Sequence, residues 1–229
     1  MIFTSNGDEG LEYFLRTALP FFFILIYITT IAVSLTNYLD HQPFLMGDWL
    51  INYQSGFIRR GFIGEISYQL SAFFKINPAV FIIIFQNIFY GLFFLYSFLI
   101  FKKIKYLTPY TLLIFSPFIF MFQLNDFGGG FRKEIIYFSF LAITVFSFIT
   151  YDINKFNKIL SCLLLLFPLA ILTHEMLAIF LPYIVAVFFI GNKINRHSLI
   201  RIGILVIPSC LVFLFVISIE ITTTDVQVI

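Results

Sequence analysis

The chain has 229 residues, of which 60% are hydrophobic, 21% aromatic and only 11% charged, with a mean hydropathy of +0.98. Soluble domains carry roughly 25% charged residues, so this composition excludes water-soluble enzymes, nucleic-acid readers and disordered proteins. A net charge of +2 points to no polyanion partner, and nucleic acid is not expected as one. Cys162 and Cys210 fall inside apolar runs and have neither disulfide nor metal spacing.

The fold class expected is all-α: a polytopic membrane bundle forming one domain over residues 1–229. A hydrocarbon core of about 30 Å needs about 20 apolar residues per helix. In chain order the predicted spans are 18–39, 78–101, 108–125, 134–151, 159–173, 176–190 and 202–219, about seven in all. Residues 1–17 precede the first span and 40–77 form the one long loop. The apolar stretch 159–190 is too long for a single crossing. Thr173-His174-Glu175 interrupts it, so two short spans with a tight turn near His174 are expected, and Pro168 and Pro182 suit such shortened segments.

Basic residues fix the expected orientation. Arg16, Lys102, Lys103, Lys105, Lys155, Lys158, Lys193, Arg196 and Arg201 all fall on one side, predicted to be cytoplasmic. That puts the N-terminus inside and the C-terminus outside a cell membrane, with a bacterial inner membrane as the expected setting. Asp40, Asp48, Glu65, Asp126, Glu134, Glu175, Glu220 and Asp225 lie on or beside the other side. The inner loops carry only the pattern of topology signals. The outer ones mix both charges with glycine and histidine, so chemistry is expected there.

Within the long outer loop, Ile58, Phe62, Ile66, Leu70 and Phe73/Phe74 recur at helical spacing, which predicts an interfacial amphipathic helix. Arg59 and Arg60, flanked by Gly56 and Gly61, either rest on lipid headgroups or hold a phosphate, for which the planar guanidinium fork is suited. Asp40 follows the first span and either ends it in water or acts as an acid or base. Asp48 either caps a short interfacial helix or stands over the membrane mouth as a base for an attacking hydroxyl.

The turn Asn125-Asp126-Phe127-Gly128-Gly129-Gly130-Phe131-Arg132-Lys133-Glu134 is the most specific anion signal in the chain. Successive glycine N–H groups can form an anion nest, a helix N-terminus follows, and Arg132 and Lys133 add positive charge. His174 and Glu175 are ionisable groups in an apolar setting and so are functional candidates, as acid, base or a structural hook; no metal site is expected.

A first helix, a long outer loop with interfacial helices and an acid, and short-looped helices to a seventh make the chain resemble the amino-terminal module of a GT-C-type membrane glycosyltransferase. The Gly-rich arginine turn is also similar to outer loops of surface polysaccharide polymerases. The resemblance implies that the catalytic base of the first outer loop falls on Asp48, or failing that Asp40. His174 and Glu175 would then assist, and Arg59, Arg60, Asp126, Gly128, Gly129, Gly130, Arg132, Lys133 and Glu134 would form the substrate-binding set. The paired-acid form of the motif is absent, because Trp49 follows Asp48. Family members continue past a seventh helix, so a fragment of a longer protein is one expectation.

The activity implied is transfer of a sugar from a polyprenyl-phosphate donor to a cell-surface glycan or lipid, with membrane lipids and the lipid-linked sugar as partners. A transporter or flippase of lipid-linked glycans, or a non-catalytic membrane subunit, are the alternatives. Nothing in the chain specifies a cofactor or an oligomeric state.

Overall fold

A computed structural model describes residues 6–40, 43–126 and 129–219. α1 (Asn6–Leu39) begins well before the expected span at residue 18 and is about 51 Å long at 1.5 Å per residue. Its extra turns are held by tertiary bonds. Arg16 donates to the carbonyls of Ile104 (2.9 Å) and Lys105 (2.6 Å), while Glu12 accepts from Leu107 N–H (2.7 Å) and Thr108 N–H (3.2 Å).

α2 (Pro43–Leu50) and α3 (Phe62–Phe74) follow in the long loop. α4 (Pro78–Lys103) starts where Asn77 accepts the Ala79 N–H at 2.9 Å, with Pro78 at the first helical position, and ends on Lys102 and Lys103, which suit the negative end of the helix dipole. It packs antiparallel to α1 through the rings of Phe23, Phe94, Phe98 and Phe101.

The segment after α4 departs from expectation. Residues 108–125 do not form one span: a 3₁₀ turn (Thr108–Tyr110), α5 (Thr111–Ile114) and α6 (Phe122–Asn125) are separated by irregular backbone. Pro117 lacks the N–H that a continuing helix needs, and it biases Ser116 away from helical backbone. Ser116 Oγ instead accepts the Phe118 N–H at 3.2 Å.

α7 (Ile135–Thr150) runs parallel to α4, bridged by Ser139 Oγ–H to Phe89 O (2.7 Å) and by Tyr96 against Phe146. α8 (Ile153–Thr173) is capped by Asp152, which accepts from the N–H groups of Asn154 and Lys155. It stops at His174, after which a 3₁₀ turn (Glu175–Phe180) leads into α9 (Leu181–Gly191). α10 (Arg196–Ser218) opens on an Asn195/Ser198 capping box and packs along α8.

Among the described residues four helices are long and apolar enough to cross a membrane: Glu9–Leu39, Pro78–Lys103, Ile153–Thr173 and Arg196–Ser218. Ile135–Thr150 and Glu175–Gly191 are shorter apolar helices. The described residues therefore form an all-helical membrane-protein fold, in which four of the seven expected spans are long apolar helices. Of the other three, 108–125 is broken at Pro117, and 134–151 and 176–190 correspond to the shorter apolar helices.

Helix direction sorts the loops. Arg16 with Lys105, and Asn157 with Asn192 and Arg201, gather at one end, the basic end. The junctions α1–α4, α6–α7 and α8–α9 meet at the other.

Candidate functional site

At that second end the backbone of the glycine turn is fixed from below. Tyr90 O–H donates to Gly130 O, Trp49 Nε1–H donates to Phe131 O at 2.7 Å, and Gln86 Nε2 reaches both Leu45 O (3.3 Å) and Phe131 O (3.4 Å). All three side chains are buried. In a trans peptide the carbonyl and the following N–H point in opposite directions, so the N–H groups of Phe131 and Arg132 are turned away from this network. Gly130 is required by contact: a Cβ there would lie 2.7 Å from Asp126 O and 2.7 Å from Gln123 Cα, both backbone. Asp126 Oδ1 accepts the Gly129 N–H at 2.9 Å, so this acid closes the turn. Gly128 lies outside the described residues.

The turn delivers Lys133 into the protein, not into water. Its side chain is 0% exposed; Nζ donates to Arg60 O at 2.9 Å and lies 3.7 Å from Asp48 Oδ2. Burial pushes its pKa down to about 8, against the pull of Asp48.

Arg60 occupies the left-handed backbone region at φ +68°, a conformation costing of order 1–3 kcal/mol for a non-glycine residue. Its guanidinium binds Glu175 through Nε (3.1 and 3.0 Å) and Nη2 (2.8 Å), and Nη1 lies 4.0 Å from Asp48 Oδ1. The Glu175 hydrogen bonds raise its pKa above the ordinary arginine value. Burial works against ionisation of Glu175, yet hydrogen bonding from His174 and Arg60 prevails and holds the carboxyl well below the usual range.

His174 is buried, with Nε2 3.5 Å from Glu134 Oε1 and Nδ1 3.7 Å from Glu175 Oε2. Burial disfavours the imidazolium, but the two carboxylates outweigh it and raise the pKa. Glu134 is lowered: burial opposes ionisation, and His174 and Arg132 overcome it. Arg132 is the most open cation, 59% exposed and 3.6 Å from Glu134 Oε1.

Asp48, Arg60, Arg132, Lys133, Glu134, His174 and Glu175 thus form one connected cluster built from three separate loops. Asp48 sits near the end of α2 instead of starting it, which removes the helix-cap reading; its side chain is 34% exposed, facing Lys133 and Arg60.

Other expected site residues lie elsewhere. Arg59 turns the opposite way from Arg60 and donates through Nη2 to Ile217 O (3.0 Å) and Ile219 O (2.7 Å), closing the C-terminus of α10. A guanidinium there satisfies carbonyls that the helix leaves unpaired. Asp40 is exposed just after α1 and makes no ion pair among the described residues.

Two residues that position the cluster are easy to overlook in sequence. Glu65 accepts Tyr53 N–H (3.0 Å) and Gln54 Nε2–H (2.8 Å), pinning the loop before Arg59 to α3. Gly64 lets α3 touch the end of α2: a Cβ would stand 1.8 Å from Ile51 O. The Gly61-x-x-Gly64 spacing is a signal for such an approach.

Beside the cluster, an apolar groove of about 320 Å³ opens between α3, α4, α7 and α8, lined by Phe62, Ile66, Phe89, Phe140, Leu169 and Thr173. Thr173 joins it directly to His174. Among the described residues no group of three His, Cys, Asp or Glu side chains is placed to hold a metal ion.

The site and fold together define a multi-helix membrane protein with a charged mouth at one end of its bundle. Comparison with protein-family models, with curated proteins and with solved structures finds no match for the chain.

Proposed function

We propose that the charged mouth is the active site of a membrane glycosyltransferase or polymerase. It moves a sugar from a polyprenyl-phosphate donor to a hydroxyl of a surface glycan or lipid, at the extracytoplasmic face of a bacterial inner membrane. The observation that carries this reading is the position of Asp48. Its carboxylate is one-third exposed and stands 4.0 Å from Arg60 Nη1 and 3.7 Å from the buried Lys133 Nζ, so an acid and a cation share one opening with a second cation behind them.

Transfer needs both partners at once. The acceptor O–H gives its proton to an Asp48 oxygen as the acceptor oxygen bonds to the anomeric carbon. The bond from that carbon to the phosphate oxygen breaks, and its electron pair leaves with the lipid phosphate. Arg60, Lys133 and the exposed Arg132 offset the charge developing there. The neighbouring apolar groove offers a course for the donor's lipid chain, which supports a lipid-linked donor over a soluble one. Glu175 and His174 hold Arg60 and Glu134 in place.

The test is an Asp48→Asn variant of the full chain in membranes supplied with radiolabelled polyprenyl-phosphate sugars. Loss of a general base lowers transfer by about 10²–10⁴-fold, with insertion in the membrane unchanged. Undiminished transfer overturns the assignment. Labelled lipid that crosses sealed vesicles without forming a glycosidic bond replaces it with a transporter.

A further inference from the structure

A second feature lies at the opposite, basic end and has no part in the proposed transfer. Between α8 and α10 an open groove of about 410 Å³ is lined by Ser161, His197, Ile200, Arg201, Ile204 and Leu205. Arg201 sits inside α10, five residues beyond its first residue, at roughly 7–8 Å along the axis. Its Nη2 donates to Asn157 O and Ser161 Oγ, both at 3.2 Å, so neutral oxygens occupy that nitrogen.

Among the described residues no ion pair balances the positive charge. Neither α8 nor α10 contains an acidic residue, and Asp152, just before α8, caps that helix through the N–H groups of Asn154 and Lys155. Lys158, one turn before Ser161, and the exposed His197, one turn before Arg201, can only add to the charge. Beyond the cation the lining turns apolar at Ile204 and Leu205. An arginine with no carboxylate partner among the described residues, above an apolar channel, matches a molecule with an anionic head and a hydrocarbon tail.

We infer that this groove binds one anionic phospholipid, its phosphate on Arg201 with Lys158 and His197 beside it and one acyl chain along Ile204 and Leu205. The bound lipid joins α8 to α10 at their basic ends. Arg59, on the carbonyls of Ile217 and Ile219, holds the other end of α10 to the outer loop. The lipid therefore steadies the helix that ends at His174, without touching the charged mouth.

The full chain is placed in nanodiscs of equal phosphatidylglycerol and phosphatidylcholine, and retained lipids are counted by native mass spectrometry. The wild-type chain is expected to keep one phosphatidylglycerol with a preference of about tenfold or more, on the scale of one to two basic residues at an anionic surface. Arg201→Gln should abolish the preference and Arg201→Lys should keep most of it. Ile204→Trp leaves every charge in place but fills the groove, and it too should lose the retained lipid. It also answers the question should Arg201→Gln fail to fold. Equal retention of both lipids by the wild type overturns the site. So does a preference that survives Ile204→Trp, which would reduce it to diffuse attraction by the basic end.

Discussion

Replacing Glu175 by glutamine isolates the contact that holds Arg60 in its left-handed conformation. Three N···O distances between 2.8 and 3.1 Å join the two side chains, and hydrogen bonds to charged groups contribute about 1.5–3 kcal/mol each. The arginine is 37% exposed, so solvent screening removes much of that sum, and glutamine keeps one acceptor oxygen. The expected loss is about 2 kcal/mol, a shift of roughly thirtyfold in the unfolding equilibrium. Unfolding by graded SDS in mixed micelles, followed through the single Trp49 fluorophore, measures it. The pH profile gives a second readout. The Glu175 carboxyl is depressed in the fold, so its contribution is fully present above its unfolded value near 4.5 and is lost as pH falls towards the lower folded value. The acid limb of the wild type should therefore be steeper than that of Glu175→Gln below pH 4.5. A variant within 0.5 kcal/mol of wild type, with an unchanged acid limb, would refute the idea that this pair fixes Arg60.

Other substitutions probe separate links. Gly64→Ala drives a methyl into Ile51 O and should cost about 1–3 kcal/mol by overpacking; it should also lower transfer by displacing α2, and with it Asp48. A wild-type melting temperature would show that α3 does not need this close approach. The pKa of Lys133 falls from 10.5 when unfolded to about 8 when buried, so between those values the unfolded chain binds the extra proton and stability from this group rises with pH. Lys133→Met should flatten that rise between pH 8 and 10.5; an unchanged slope would contradict the burial argument. Gly130→Ala should weaken the turn by about 1–3 kcal/mol through its backbone clash, and trypsin should then cleave sooner at Arg132. Cleavage at the wild-type rate would count against it.

Much of this organisation is legible in the residues, because an apolar chain can place ionisable groups only at helix ends or in contact with one another. That constraint singles out Asp48, the glycine turn and His174-Glu175 before any coordinates are known. It also marks the helix break at His174, where a charged pair interrupts hydrophobic sequence. What sequence does not carry is direction. Arg59 and Arg60 are adjacent and chemically alike, yet a positive φ at Arg60 sends one to Glu175 and the other to the end of α10. Lys133 reads as a surface charge, and only the Tyr90, Trp49 and Gln86 anchors on the preceding carbonyls explain why it points inward. The broken stretch between α4 and α7 has the hydropathy of a span, and the consequence of Pro117 depends on tertiary support that hydropathy ignores.

The short length of α7 has a consequence for the surrounding lipid. Its sixteen residues reach about 24 Å, against a hydrocarbon layer of about 30 Å. Arg132 and Glu134 mark its polar end at the mouth, so a leaflet that matches this helix would dimple beside them. In the proposed transfer, a phosphodiester diffusing along the membrane would then be lowered towards the cluster, and part of the work of bringing a lipid headgroup to Asp48 would fall to the bilayer's own shape.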